Sequence, residues 1–201
     1  MSTIYYLIQN MLPVAIPLLL VALGGMFSEV GGVINLALEG IMLFGAFFGA
    51  LFVYFFQDSG LNPQTILLLG MLVAALAGFV YSILLSFAAI TMKSNQTISG
   101  TALNFFIRKI PILGDIPIVG ELFFQKTYLT VIMGFIILGI SIVVFYKTRF
   151  GLRLRACGEH PHAADSVGIN VYRMRYAGTS ISGILGGIGG FFYSVGVMDG
   201  N

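Results

Sequence analysis

Long uncharged runs separated by short polar breaks dominate this chain. Met1 to Ser28 carries no charge, 34 uncharged residues separate Asp58 from Lys93, residues 127–146 add 20 more, and residues 176–198 another 23. A helix needs roughly 20 apolar residues to cross a bilayer, so each run can span one. The pattern predicts an all-α, polytopic transmembrane helix bundle, a single domain over 1–201, with spans over about 3–27, 40–56, 64–91, 127–146 and 176–196. Pro13 and Pro17 lie inside the first span and predict a kink. FSEVGGVINLALEG, 27–40, is too apolar for a water loop and too interrupted for a plain helix. It reads as a broken or re-entrant segment buried against other helices, because lipid-facing backbone cannot be left unbonded. QDSGLNP, 57–63, is a turn, and Lys93 to Gln96 is a polar break. TISGTALNFFI, 97–107, is apolar but only half a span long, and 108–126, with Pro111, Gly114, Pro117 and Gly120, reads as a loop.

Small residues recur every fourth position at Gly70, Ala74 and Gly78, and again at Ser182, Gly186 and Gly190 with Gly183 and Gly187 alongside. This spacing lets helix backbones approach closely within a membrane. GILGGIGG, 183–190, lacks the lysine of a phosphate loop, the G-x-G-x-x-G spacing and a preceding strand, so helix packing is its reading.

Composition sharpens the class. The chain is 58% hydrophobic and only 9% charged, against about 25% charged for a soluble domain. A net charge of +2 gives no electrostatic case for nucleic acid, one cysteine makes no internal disulfide, and the N-terminus lacks the basic segment of a cleaved signal peptide. Six of the ten Lys and Arg lie between Lys147 and Arg175, whereas 57–63 has none. The positive-inside rule therefore puts the loop 147–175 in the cytoplasm, and 57–63 and the last residues outside. Lys93 falls inside, so 97–107 leads outward. The side of the N-terminus depends on whether 27–40 crosses.

RACGEHPHAADSVGIN, 155–170, gathers Cys157, His160 and His162 beside Glu159 and Asp165, which raises the question of a metal site. The histidines are two apart around Pro161, a spacing that points them to different sides of a helix, and the chain has no C-x-x-C. A short helix fits better: Pro161 suits its first position and Gly168 the position just past its end. Such a helix can dock into a groove on another protein through Ala163, Ala164, Val167 and Ile169. Among the apolar residues, Glu29, Asn35 and Glu39 are costly polar groups that mark either a translocation path or structural ties. Thr97, Thr101 and Asn104 share one face of the half-length segment and are weaker path candidates.

Residues 148–176, TRFGLRLRACGEHPHAADSVGINVYRMRY, resemble the cytoplasmic coupling loop of ABC-transporter permeases, in the ribose and branched-chain amino-acid branch and closest to the nucleoside and simple-sugar uptake permeases. FSEVGGVINLALEGIMLFGAF, 27–47, is similar to that family's early signature, and the two matches occur in the right order. The wider superfamily carries Glu-Ala-Ala and then Gly in the coupling loop; His162, Ala163, Ala164 and Gly168 stand there, with histidine replacing glutamate. Val30 stands where the near family often has arginine.

The resemblance implies a permease subunit of an ATP-driven importer, part of the path for a nucleoside or simple sugar. Implied partners are a cytoplasmic ATPase that uses ATP and Mg, a second permease subunit forming a heterodimer, and an extracytoplasmic substrate-binding lipoprotein. The chain itself has no Walker motif, so no cofactor and no enzymatic activity are expected in it. Gly151, Arg153, Arg155, His162, Ala163, Ala164 and Gly168 become the expected ATPase-coupling residues, with topology-setting charge as the other reading of the arginines. The family's fold continues with more membrane helices than 201 residues hold, so a truncated chain is expected. An ion-coupled secondary transporter, or a membrane fragment that transports nothing, are the rival readings.

Overall fold

The computed structural model describes residues 2–57, 59–108 and 127–198, and the described residues fold into helices joined by short connections. They are α1 (Ser2–Val30), α2 (Leu38–Phe56), α3 (Pro63–Ser86), α4 (Gln96–Arg108), α5 (Thr127–Lys147), α6 (Arg149–Glu159), α7 (Pro161–Ser166) and α8 (Val171–Met198). A π-helical turn, Phe87–Thr91, prolongs α3. Most of the loop expected at 108–126 lies outside the described residues.

Among the described residues, four helical stretches are long and apolar enough to cross a membrane: Met11–Val30, Leu38–Phe56, Pro63–Thr91 and Thr130–Lys147. The last expected span, 176–196, forms most of α8. The many glycines of α8 follow from its position. α8 is the central helix, packed against α1, α2 and α3. A different glycine set serves each neighbour. A Cβ on Gly183 or Gly187 would run into backbone carbonyls of α3, those of Gly78 and Ala74. One on Gly186 would meet Ile41 of α2 at 3.0 Å, and one on Gly190 would strike the Met42 carbonyl. One on Gly189 or Gly196 would lie 2.9 Å from the Pro17 or Pro13 carbonyl of α1. On α3, Gly70 faces Phe191 and Ala74 is fully buried. Dispersion between close backbones, not expulsion of water, holds such an interface in lipid.

The segment expected to be irregular over 27–40 is narrower than that. α1 runs on through Pro13, Pro17 and Glu29 to Val30, and only 31–37 leave the helix. The end of α1 packs on α6: a Cβ on Gly31 would lie 3.0 Å from Leu154, and one on Gly158 would strike the Val30 carbonyl. Gly32, at φ +84, turns the chain back. α2 then returns beside α8, with Gly49 against Phe191. The segment 31–37 therefore does not cross the membrane, and α1 starts on the side of the 57–62 turn, opposite α6 and α7.

Candidate functional site

An unwound stretch inside a membrane bundle needs a partner for each backbone polar group it buries. Residues 31–40 find many of theirs nearby. Gly32 and Val33 N–H donate to the Glu29 and Ser28 carbonyls at 2.9 and 3.1 Å, and Ser28 Oγ donates to the Val33 carbonyl at 2.6 Å. Ile34 N–H donates to Gln96 Oε1 at 2.8 Å. Asn35 Oδ1 accepts from Ala37 N–H at 3.1 Å, while its Nδ2 donates to Ser182 Oγ on α8 at 2.8 Å. Asn104 of α4 clamps both sides of the α2 start, accepting from Gly40 N–H at 2.8 Å and donating to the Leu36 carbonyl at 2.7 Å. The first residues of α2 have no side-chain cap from its own N-cap residue, Ala37, so Asn104 supplies an acceptor from another helix.

These bonds place the expected path residues. Asn35 is buried and its amide is spent on Ser182 and Ala37, and Asn104 is spent on the α2 start; both tie the fold. Thr101 donates its hydroxyl to the Thr97 carbonyl within α4, and both threonines are exposed. Glu29 is exposed in the last turn of α1, at the α6 end of the bundle. Glu39 is exposed in the first turn of α2, where a carboxylate suits the helix dipole, and borders a groove of about 310 Å³ with Met42, Tyr193 and Ser194. The structure thus gathers Asn35 and Asn104 around one backbone stretch and leaves Glu29 apart.

Outside the membrane helices, α6 and α7 form a bent pair at the basic end. Thr148 caps α6, accepting from Gly151 N–H at 3.3 Å. Pro161 opens α7, and Gly168, at φ +82, ends it. Gly168 and Ile169 N–H return to the Asp165 and Ala164 carbonyls at 2.9 and 3.0 Å. Arg153, His162, Ala163 and Gly168 are exposed, as is Val167. Three of the expected contact residues are turned inward instead. Ala164 is only 4% exposed. Gly151 is buried because the Phe145 carbonyl fills the place of a Cβ. Arg155 lies over the Phe145 and Tyr146 rings at 5.4 and 5.7 Å, and its Nε donates to the Gly151 carbonyl at 3.4 Å.

The ligand-like cluster comes apart. Cys157 is fully buried while His160 and His162 are exposed, and no metal-binding group of side chains occurs among the described residues. Burial pushes the Cys157 thiol above its ordinary range, and the nearby Arg175 guanidinium partly offsets this.

Several working residues escaped the sequence reading. Gln96 and Ser28 tie the unwound stretch. Ser86 pairs with Thr179, and Thr91 with Tyr176 at 2.6 Å, linking the end of α3 to α8. Spacing from Thr91 to Ser86, and from Thr179 to Tyr176, gives only a weak helical-face signal. The cross-helix match needs the packing.

The chain matches the family described as branched-chain amino acid transport system / permease component over residues 7–198. It is 44% identical over 207 residues to the guanosine ABC transporter permease protein NupQ of Bacillus subtilis, covering 90% of this chain and 64% of that protein. It is 36% identical over 218 residues to the nucleoside ABC transporter permease protein NupC of Lactococcus lactis, covering 96% of this chain and 68% of the relative. It is also 32% identical to a putative glucose ABC transporter permease of Haloferax volcanii, covering 89% and 59%. The chain thus spans about two thirds of the length of the first two. No solved structure matches it. A helical bundle with four apolar spans and a family match over nearly its whole length make this chain a multi-pass membrane protein of the branched-chain amino acid transport system permease family.

Proposed function

We propose that the chain forms part of the permease of an ATP-driven importer and carries a nucleoside. The observation behind the solute is the 44% identity to a permease named for guanosine, with a second relative named for nucleosides. A simple sugar is the second reading, favoured by the 32% likeness to a putative glucose permease. Partners in this reading are a cytoplasmic ATPase that binds ATP and Mg, a second permease subunit and a substrate-binding lipoprotein outside.

The geometry supports a route for coupling. A ligand or motor shifts an equilibrium only through contacts that differ between two states. The exposed surface of Arg153, His162, Ala163 and Gly168 would meet the ATPase. α7 packs on α6 and on the start of α8, and α6 is held to the end of α1 through Leu154 and Gly158 against Gly31 and Val30. A displacement of the pair therefore bears on the start of the unwound stretch, which leads through Asn35 to Ser182 at the centre of α8.

Uptake of labelled guanosine and glucose into vesicles carrying the assembled transporter tests the solute. Guanosine uptake that depends on ATP and is not competed by glucose is expected. Gly168→Pro removes an N–H that donates to Asp165 and demands a φ opposite in sign to the observed +82. It should release or uncouple the ATPase while membrane insertion persists. Uptake that continues unchanged without any ATPase would sink the importer reading.

A further inference from the structure

A cavity of about 480 Å³ lies at the basic end of the bundle, between α7, the turn after α3 and the start of α8. Lys93 and Arg175 are fixed cations on its wall, Asp165 is the acidic group there, and His162, Ser94 and Tyr172 add polar side chains. Two further observations concern the cations themselves. Lys93 has φ 51, the only positive value outside glycine among the described residues, where a side chain is disfavoured. Such strain persists where the surroundings impose it, and it gathers at binding and switch sites. The π-helical turn ending at Thr91, with Ser94 N–H and Oγ both donating to the Ala88 carbonyl at 3.1 and 2.7 Å, imposes it here. Arg175, whose guanidinium packs against Gly32 beside the cavity, has a buried Nε that meets no acceptor among the described residues. A buried guanidinium donor left unpaired is costly, and an anion within reach of the group lowers that cost.

We propose that this cavity is a phosphate-binding site facing the cytoplasm, taking either a phospholipid headgroup or the phosphate of a small soluble metabolite. Two cations facing one space at the membrane boundary suit a tetrahedral anion, and basic pockets between helices on the cytoplasmic side bind such headgroups. Because α7 supplies one wall and α3 and α8 the others, an occupant holds α7 to the membrane helices. It thereby regulates how freely the coupling pair moves.

The test uses the full-length chain in nanodiscs. Phosphorus NMR follows inorganic phosphate in phosphatidylcholine discs, and native mass spectrometry counts phospholipid retained from discs containing phosphatidylglycerol. Saturable binding of one of these is expected. It should weaken about tenfold to a hundredfold in Lys93→Gln and in Arg175→Gln, the loss of one charged hydrogen bond each, and persist in Lys93→Arg. Lys93→Gly relaxes the backbone and removes the charge; the proposal expects it to lose binding while the helical circular dichroism of the chain is kept. Binding of free phosphate that phosphatidylglycerol displaces identifies a lipid, and free phosphate undisturbed by it identifies a soluble ligand. No binding of either probe to the folded wild-type chain overturns the proposal, as does binding that all three charge-removing variants retain.

Discussion

Asn104→Ala separates a structural tie from a path residue. In the wild type the Asn104 amide meets two backbone groups of the α2 start, Gly40 N–H at 2.8 Å and the Leu36 carbonyl at 2.7 Å. Removing it strands both. A buried backbone group left unpaired costs about 1–3 kcal/mol. The Gly40 bond is half-buried and the Leu36 bond is exposed, so water replaces the second more readily than the first. Counting the first near the middle of that range and the second near zero gives about 2 kcal/mol. That exceeds the roughly 0.6 kcal/mol average for side-chain pairs between membrane helices, because here one amide serves two backbone groups. Equilibrium unfolding of the chain in mixed micelles, by circular dichroism, measures the loss. Asn104→Asp keeps the acceptor for Gly40 and loses the donor to Leu36, so it should fall well short of the alanine effect. Relative uptake of different nucleosides should be unchanged in both variants. An alanine variant as stable as wild type but altered in solute preference would refute the structural assignment.

Other expectations rest on packing and burial. Gly187→Ala forces a Cβ into the Ala74 carbonyl and should destabilise the bundle by about 1–3 kcal/mol. Gly139→Ala, with open space around it in α5, should be neutral or stabilise by up to about 1 kcal/mol; equal effects in the two unfolding curves would remove the close-packing argument. Cys157, buried and with its thiol pushed above the ordinary range, holds less thiolate than a free cysteine at any pH below that range, so maleimide should label it slowly until the chain unfolds. In a Cys157→Ala background, Ala163→Cys should label quickly from the cytoplasmic side and be protected by the bound ATPase; fast labelling of Cys157 in the folded wild type would contradict the packing of α6.

How far the sequence reached depended on whether a property was local. Apolar runs of membrane length follow from composition along one helix, and so does the Pro161 to Gly168 framing of α7, because a proline start and a positive-φ glycine stop act on neighbouring residues. The charge bias of 147–175 likewise sets the cytoplasmic side without reference to packing. Small residues every fourth position announce a close helix contact, but a stripe does not name its neighbour; only the packing assigned Gly183 and Gly187 to α3, and Gly186 and Gly190 to α2. The polar groups of the first third were equally ambiguous. Asn35 and Asn104 look the same in a sequence whatever they meet, and only the packing shows their hydrogen bonds to Ser182 and Gly40. The side of the N-terminus was decided the same way. Glycines 31 and 32 permit either a crossing or a turn, and it is the contact of the α1 end with Leu154 and Gly158, far along the chain, that makes them a turn.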